Sequence, residues 1–171
     1  TGVLMLRETE EPAGTEITLL LDGTATSLLG EAPHSNYELA VRVAGSVADF
    51  ALRTGHAVHL LSHEREVRRT NPSADKAGRD DLLETLAEAT PDASAPLDHT
   101  LRRLRAEHAI LWRSGGMTVV ALSLGEQLVR TLVALQSDGV RSALVYVAGG
   151  SPAEADAWTH GSLLPFLPPR H

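Results

Sequence analysis

The sequence predicts one α/β domain, a three-layer sandwich with a mostly parallel central sheet and helices on both faces. Three observations predict it. Short apolar runs, "ITLLLD", "HAVHLLS", "MTVVALSLG" and "VRSALVYVAGG", recur along the chain, the first and third reading as strands buried on both sides. Between them lie segments with apolar residues at helical spacing; parallel neighbours need such crossovers, and each crossover must bury its apolar stripe on the sheet. With 171 residues, 43% hydrophobic and 22% charged, the chain is large enough for a core of its own.

The elements follow in order. Residues 1–16 are expected to form an N-terminal extension or edge strand, 17–158 the domain and 159–171 a proline-rich tail, "LLPFLPPRH". "ITLLLD" suits a central strand. After a loop holding Gly30 and Pro33, "NYELAVRVAGSVADFALRTG" places Tyr37, Ala40, Val41, Ala44, Val47, Ala48, Ala51 and Leu52 at helical spacing, with Asn36 as cap and Gly55 as stop. "HAVHLLS" is a second apolar strand, and the more polar "EREVRRT" pairs with it or forms an edge. Asn71-Pro72-Ser73 breaks the pattern. "GRDDLLETLAEAT" reads as a helix with Leu82, Leu83, Leu86 and Ala87 on one side, and "PLDHTLRRLRAEH" as another through Leu97, Leu101 and Leu104. "MTVVALSLG" is the third buried strand, "EQLVRTLVALQSDG" a helix ending at glycine, and "VRSALVYVAGG" the last strand, before a short helix or turn over "SPAEADAWTHG".

Fifteen Lys and Arg against 22 Asp and Glu give a formal charge of -7, a field that repels nucleic acid and anionic lipid and favours a basic protein surface. Without cysteine, disulfides, thiolate zinc sites, iron-sulfur clusters and cysteine nucleophiles are excluded, which fits a reducing compartment. No apolar run is long enough to span a bilayer, and the opening residues carry no signal-peptide pattern. A chain opening on Thr1 is expected to be a processed product or part of something longer.

In open parallel sheets the functional crevice lies beyond the carboxyl ends of the strands, which is where Asp22 falls. Asp22, Thr24 and Thr26 put one carboxylate and two hydroxyls in a tight loop, hard oxygen donors suited to Mg²⁺ or Mn²⁺. The same residues also serve an ordinary strand-to-helix turn, through hydrogen bonds to backbone amides.

This opening resembles the metal-ion-dependent adhesion site of the von Willebrand factor A fold, Asp-x-Ser-x-Ser, with Thr for Ser. More closely, "LMLRETEEPAGTEITLLLDGTATS" followed by "YELAVRVAGSVADFALRTGHAVHLLS" resembles the C-terminal half of a bacterial family named domain of unknown function fifty-eight, whose members are von Willebrand A-like. The likeness runs from Leu4 to the strand near Tyr146. In that family a basic, tryptophan-containing signature precedes this region, usually after two membrane helices; neither is present, so a fragment is expected. The resemblance implies a threonine in a later loop, where this chain has Ala95, with Ser94 one residue away. It also implies an aspartate after the next strand, where Leu124 stands, flanked by Ser123 and Glu126. A site short of these two ligands is degenerate, holding Mg²⁺ or Mn²⁺ weakly or not at all.

Other candidates have plainer readings. His56, His59 and His63 cluster around the second strand without metal-site or His-Glu-x-x-His spacing, and are expected as surface or strand-end residues. No nucleophile elbow or phosphate loop is present; Gly115-Gly116 and Gly149-Gly150 are turns. Arg102, Arg103 and Arg105 read as the solvated face of a helix, or as a clamp for a partner's acidic groups. Trp112 and Trp158 are interface anchors or half-buried cover.

The expected function is a non-enzymatic protein-protein interaction domain whose contact rim is Asp22, Thr24, Thr26, Ser94 and Ser123. The resemblance implies an adaptor for a MoxR-type AAA+ ATPase in assembly or maturation of other proteins, on the cytoplasmic face, tethered to the inner membrane by an anchor outside this chain. The alternative is a metal-dependent hydrolase or phosphatase using Asp22 as ligand or nucleophile. It needs a second carboxylate and a basic phosphate clamp at that rim, and the expected loops offer neither.

Overall fold

The computed structural model describes residues 15–71, 73–107 and 115–148. Its centre is the strand β1 (Glu16–Asp22), flanked on both sides by parallel neighbours, β2 (Ala57–His63) and β4 (Gly116–Ala121). This is why Leu19, Leu20 and Leu21 are all fully buried: successive side chains point to opposite faces, and both faces are covered. β5 (Ser142–Tyr146) pairs in parallel with β4, and the two-residue β3 (Arg68–Arg69) runs antiparallel at the edge of β2, giving the order β3-β2-β1-β4-β5. The polar "EREVRRT" thus supplies the short, charged edge strand expected of it, a form that resists further pairing.

Two cores lie on either side of the sheet. Leu19, Leu21, Val58, Leu60 and Val120 meet α1 (Asn36–Arg53) and α2 (Lys76–Glu88) on one face. On the other, Leu20, Leu61, Met117 and Val119 meet α3 (Leu97–Glu107) and α4 (Glu126–Ser137). The buried stripe of α1 is almost all alanine, at 40, 44, 48 and 51, so its backbone seats close to the sheet. Gly55, at φ +87°, ends α1, and Gly139, at φ +92°, ends α4, both in the left-handed conformation that glycine adopts without strain.

Three local expectations are corrected. The cap of α1 is Ser35, whose Oγ accepts from the Glu38 amide; Asn36 is the first helical residue and is engaged elsewhere. α2 begins at Lys76 under an Asp75 cap, because Asp75 accepts from the Gly78 amide at 2.8 Å. It buries only Leu82 and Leu86; Leu83 and Ala87 are exposed, since a helix that covers the outside of the core needs one narrow i, i+4 seam. Residues 1–14, Trp112, the Gly149-Gly150 pair, the segment around Trp158 and the tail 159–171 lie outside the described residues.

Candidate functional site

Asp22 ends the central strand, at the carboxyl edge of the sheet, but its carboxylate turns inward. It is 1% exposed. Oδ1 accepts from the Thr24 amide at 3.0 Å and the Thr24 hydroxyl at 2.6 Å, and Oδ2 accepts from the Leu122 amide at 2.9 Å. The last bond ties β1 to the end of β4, so the carboxylate organises the rim by holding two strand ends together. Thr24 is itself buried and spends its hydroxyl on Asp22.

The chain then makes a single 3₁₀ turn, Ala25–Ser27, which brings other hydroxyls to the surface. Thr26 is exposed, and Ser27 Oγ donates to Ser123 Oγ at 3.2 Å. Ser27 is a rim residue that the Asp-x-Thr-x-Thr spacing overlooks. Asn36 holds this loop: its side-chain amide donates to the Ser27 carbonyl at 2.9 Å and its Oδ1 accepts from the Leu29 amide at 2.8 Å.

Thr24, Thr26, Ser27 and Ser123 line a cavity of about 400 Å³ together with Asp98 and Glu126. These two carboxylates come from the first turns of α3 and α4; Glu126 follows Leu124 as the sequence placed it, while Asp98 has no counterpart in the sequence pattern. Each is already engaged: Asp98 pairs with Arg102 at 2.5 Å, and Glu126 with Arg130. Ser94 does not join this group. It lines a separate cavity of about 660 Å³ beside His63, Arg69 and Arg103. Leu124 packs partly buried against the α3/α4 core.

The donor set does not fit a tightly held divalent cation. Both Asp22 oxygens accept hydrogen bonds, Ala95 supplies no hydroxyl, Leu124 supplies no carboxylate, and Asp98 and Glu126 each have an arginine competing for their oxygens. Among the described residues no cluster of three His, Asp or Glu is placed to bind metal. The α3 arginines are internal partners as well: Arg105 bonds Asp138 at 2.5 Å, and Arg103 approaches Glu107 at 3.8 Å.

His63 ends β2, as a strand-end residue, but the surface expectation is corrected: His59 and His63 are both buried, on the face of the sheet that α3 covers. His63 Nε2 donates to the Ala95 carbonyl at 2.8 Å, since a carbonyl only accepts, and Thr100 Oγ1 sits 3.0 Å from Nδ1. His63 therefore pins the loop that borders the rim, a positioning role with no local sequence signal. His56 lies just before β2, partly buried. Burial, and next the positive charge of Arg69, hold His59 below the ordinary histidine pKa. The unfolded ring then binds protons more readily than the folded one. Stability is complete above the ordinary histidine range and declines as pH falls through it. Urea midpoints measured at about pH 7 and about pH 5 should differ, and differ less in His59→Leu.

The sequence matches the family described as protein of unknown function DUF58 over residues 1–155. The chain belongs to the DUF58 family. No curated protein matches this DUF58 sequence. Solved structures share its fold: the SpRpn10 VWA domain at TM-score 0.56 and 9% identity, covering 88% of this chain and 84% of that one. An aerotolerance-related membrane protein from Bacteroides fragilis aligns at TM-score 0.58 and 15% identity, over 78% of this chain and 68% of that one. Proximal thread matrix protein 1 from the mussel byssus aligns at 0.56 and 14%, over 81% of this chain. The DUF58 chain spans only 38% of the mussel protein's length. These likenesses establish a von Willebrand A-type, three-layer α/β fold.

Proposed function

We propose that this chain is a non-enzymatic adaptor domain that binds a MoxR-type AAA+ ATPase during assembly or maturation of other proteins, at the cytoplasmic face of the inner membrane. The observation that carries the non-enzymatic reading is the inward carboxylate of Asp22. With both oxygens accepting hydrogen bonds and 1% exposure, it cannot reach a substrate as nucleophile or base. Asp98 and Glu126 are paired with Arg102 and Arg130, so the rim meets solvent with hydroxyls and a charge-balanced Glu126–Arg130 pair rather than with a free base. Such a surface serves contact better than bond-making.

The test is a pulldown from the native organism under nucleotide-trapped conditions, with the wild-type chain and the Thr26→Arg/Ser123→Arg double variant as baits. Both positions are exposed, so the substitutions leave the core intact. The wild type should enrich an ATPase of that class and the variant should lose it. Absence of the ATPase from the wild-type sample refutes the partner assignment.

A further inference from the structure

Beside the hydroxyl rim, the β1–α1 loop and the first turns of α1 border a third cavity, of about 490 Å³, lined by Leu29, Pro33, Leu39, Arg42 and Ala148 among others. Its volume falls within the roughly 300–1,000 Å³ of clefts that take ligands or anchor side chains. Leu29 is 44% exposed and Leu39 48%, and the adjoining Leu28 is 38% exposed, so several large apolar side chains meet water around one opening. Leu39 and Arg42 are three residues apart on α1, which puts the apolar wall and the cation on one helical ridge.

Arg42 is set apart by its lack of a partner. Other described arginines, among them Arg53, Arg65, Arg68, Arg79 and Arg130, have a carboxylate of this chain within 4 Å. Among the described residues Arg42 is the one arginine whose guanidinium pairs with nothing, although Glu38 stands one turn before it on the same helix. An unpaired guanidinium next to exposed leucines is a local exception to the net charge of -7, complementary at contact range to a single carboxylate that arrives with an apolar side chain.

We propose that this cavity docks a peptide segment of a protein partner in which a Leu, Ile or Phe anchor lies within a few residues of an Asp or Glu. The anchor fills the space between Leu29 and Leu39, and the carboxylate pairs with Arg42. This rests on the interaction reading above and names the chemistry of the partner. An anionic membrane or a nucleic acid is a poor match, because one cation in a strongly acidic chain does not offset the repulsion of a polyanion.

The test pans a random twelve-residue peptide library, displayed on phage, against the full chain. Enriched peptides should carry the apolar-acidic pairing. A synthetic copy of the best one should lose roughly tenfold or more in affinity to Arg42→Glu, and as much when its own acid is changed to amide. Changing that acid to lysine should restore binding to Arg42→Glu. Unchanged urea midpoints confirm that the variant folds. No enrichment, enriched peptides without an acid, or equal binding to Arg42→Glu overturns the proposal. Binding lost in Thr26→Arg/Ser123→Arg but not in Arg42→Glu also overturns it, while leaving the hydroxyl rim as the contact surface.

Discussion

Asp22→Ala is expected to lower the unfolding free energy by about 3 kcal/mol, whether or not Mg²⁺ is present. The carboxylate accepts from the Thr24 amide, the Thr24 hydroxyl and the Leu122 amide in a site closed to solvent. Removing it strands two buried backbone donors, each worth about 1–3 kcal/mol when left unmade. It also unfastens β1 from the end of β4. A rim carboxylate kept for a cation behaves differently: its loss is harmless in chelator and becomes visible only when metal adds binding energy to the folded state. Urea unfolding of wild type and variant, in chelator and in Mg²⁺, therefore separates the roles by pattern. Calorimetric titration of the wild type should show Mg²⁺ binding no tighter than about millimolar, given the missing ligands. If Asp22→Ala is too unstable to purify, Asp22→Asn keeps the shape and one acceptor oxygen and should lose less. A variant as stable as wild type in chelator, beside a wild type stabilised by micromolar Mg²⁺, would sink the structural role.

Why some of this was legible in sequence and some was not follows from the range of the interactions involved. The strands were readable because a chain buried on both faces must be apolar at every position, as Leu19 to Leu21 are. The rim position of Asp22 followed from its place at the end of an apolar strand in a parallel sheet, and the gaps at Ala95 and Leu124 from the family resemblance. The direction of the Asp22 carboxylate did not, because its decisive partner, Leu122, is 100 residues away. The cap of α1 was misplaced by one residue since Ser35 and Asn36 have equivalent capping chemistry; only the bonds from Asn36 to Ser27 and Leu29 decide between them. Glu126 was in view beside Leu124, but Asp98 was missed for a similar reason. Helix starts read as charged solvent positions until the sheet brings α3 and α4 to one cavity. His63 looked like a strand-end polar residue, and its bonds to Ala95 and Thr100 exist only once the loop before α3 folds over it.

Gly23→Ala should destabilise the domain by about 3 kcal/mol through crowding of backbone against backbone. An added Cβ would stand 2.3 Å from the His63 carbonyl oxygen and 3.1 Å from that of Thr90. Neither neighbour is a flexible side-chain tip, so relief requires the ends of β1 and β2 to part. That movement pulls on bonds that build the rim: Gly23 accepts from the Ala93 amide at 3.0 Å, and the Ala93 carbonyl accepts from the Ala25 amide at 2.9 Å. Thr24 and the Asp22 carboxylate share the same few residues and shift with them. Gly45→Ala provides the control. Gly45 lies inside α1, where the nearest atom to a new Cβ is Leu86 Cδ1 at 3.8 Å, ordinary contact. There the substitution should stabilise by roughly 0.5–1 kcal/mol, from helix propensity. Both changes restrict the unfolded chain alike, so that contribution cancels in the comparison. Opposite signs in urea midpoints would isolate the close approach at Gly23 as the cause. If Gly23→Ala matched Gly45→Ala, the ends of β1 and β2 would have to be looser than the register between Asp22 and His63 requires.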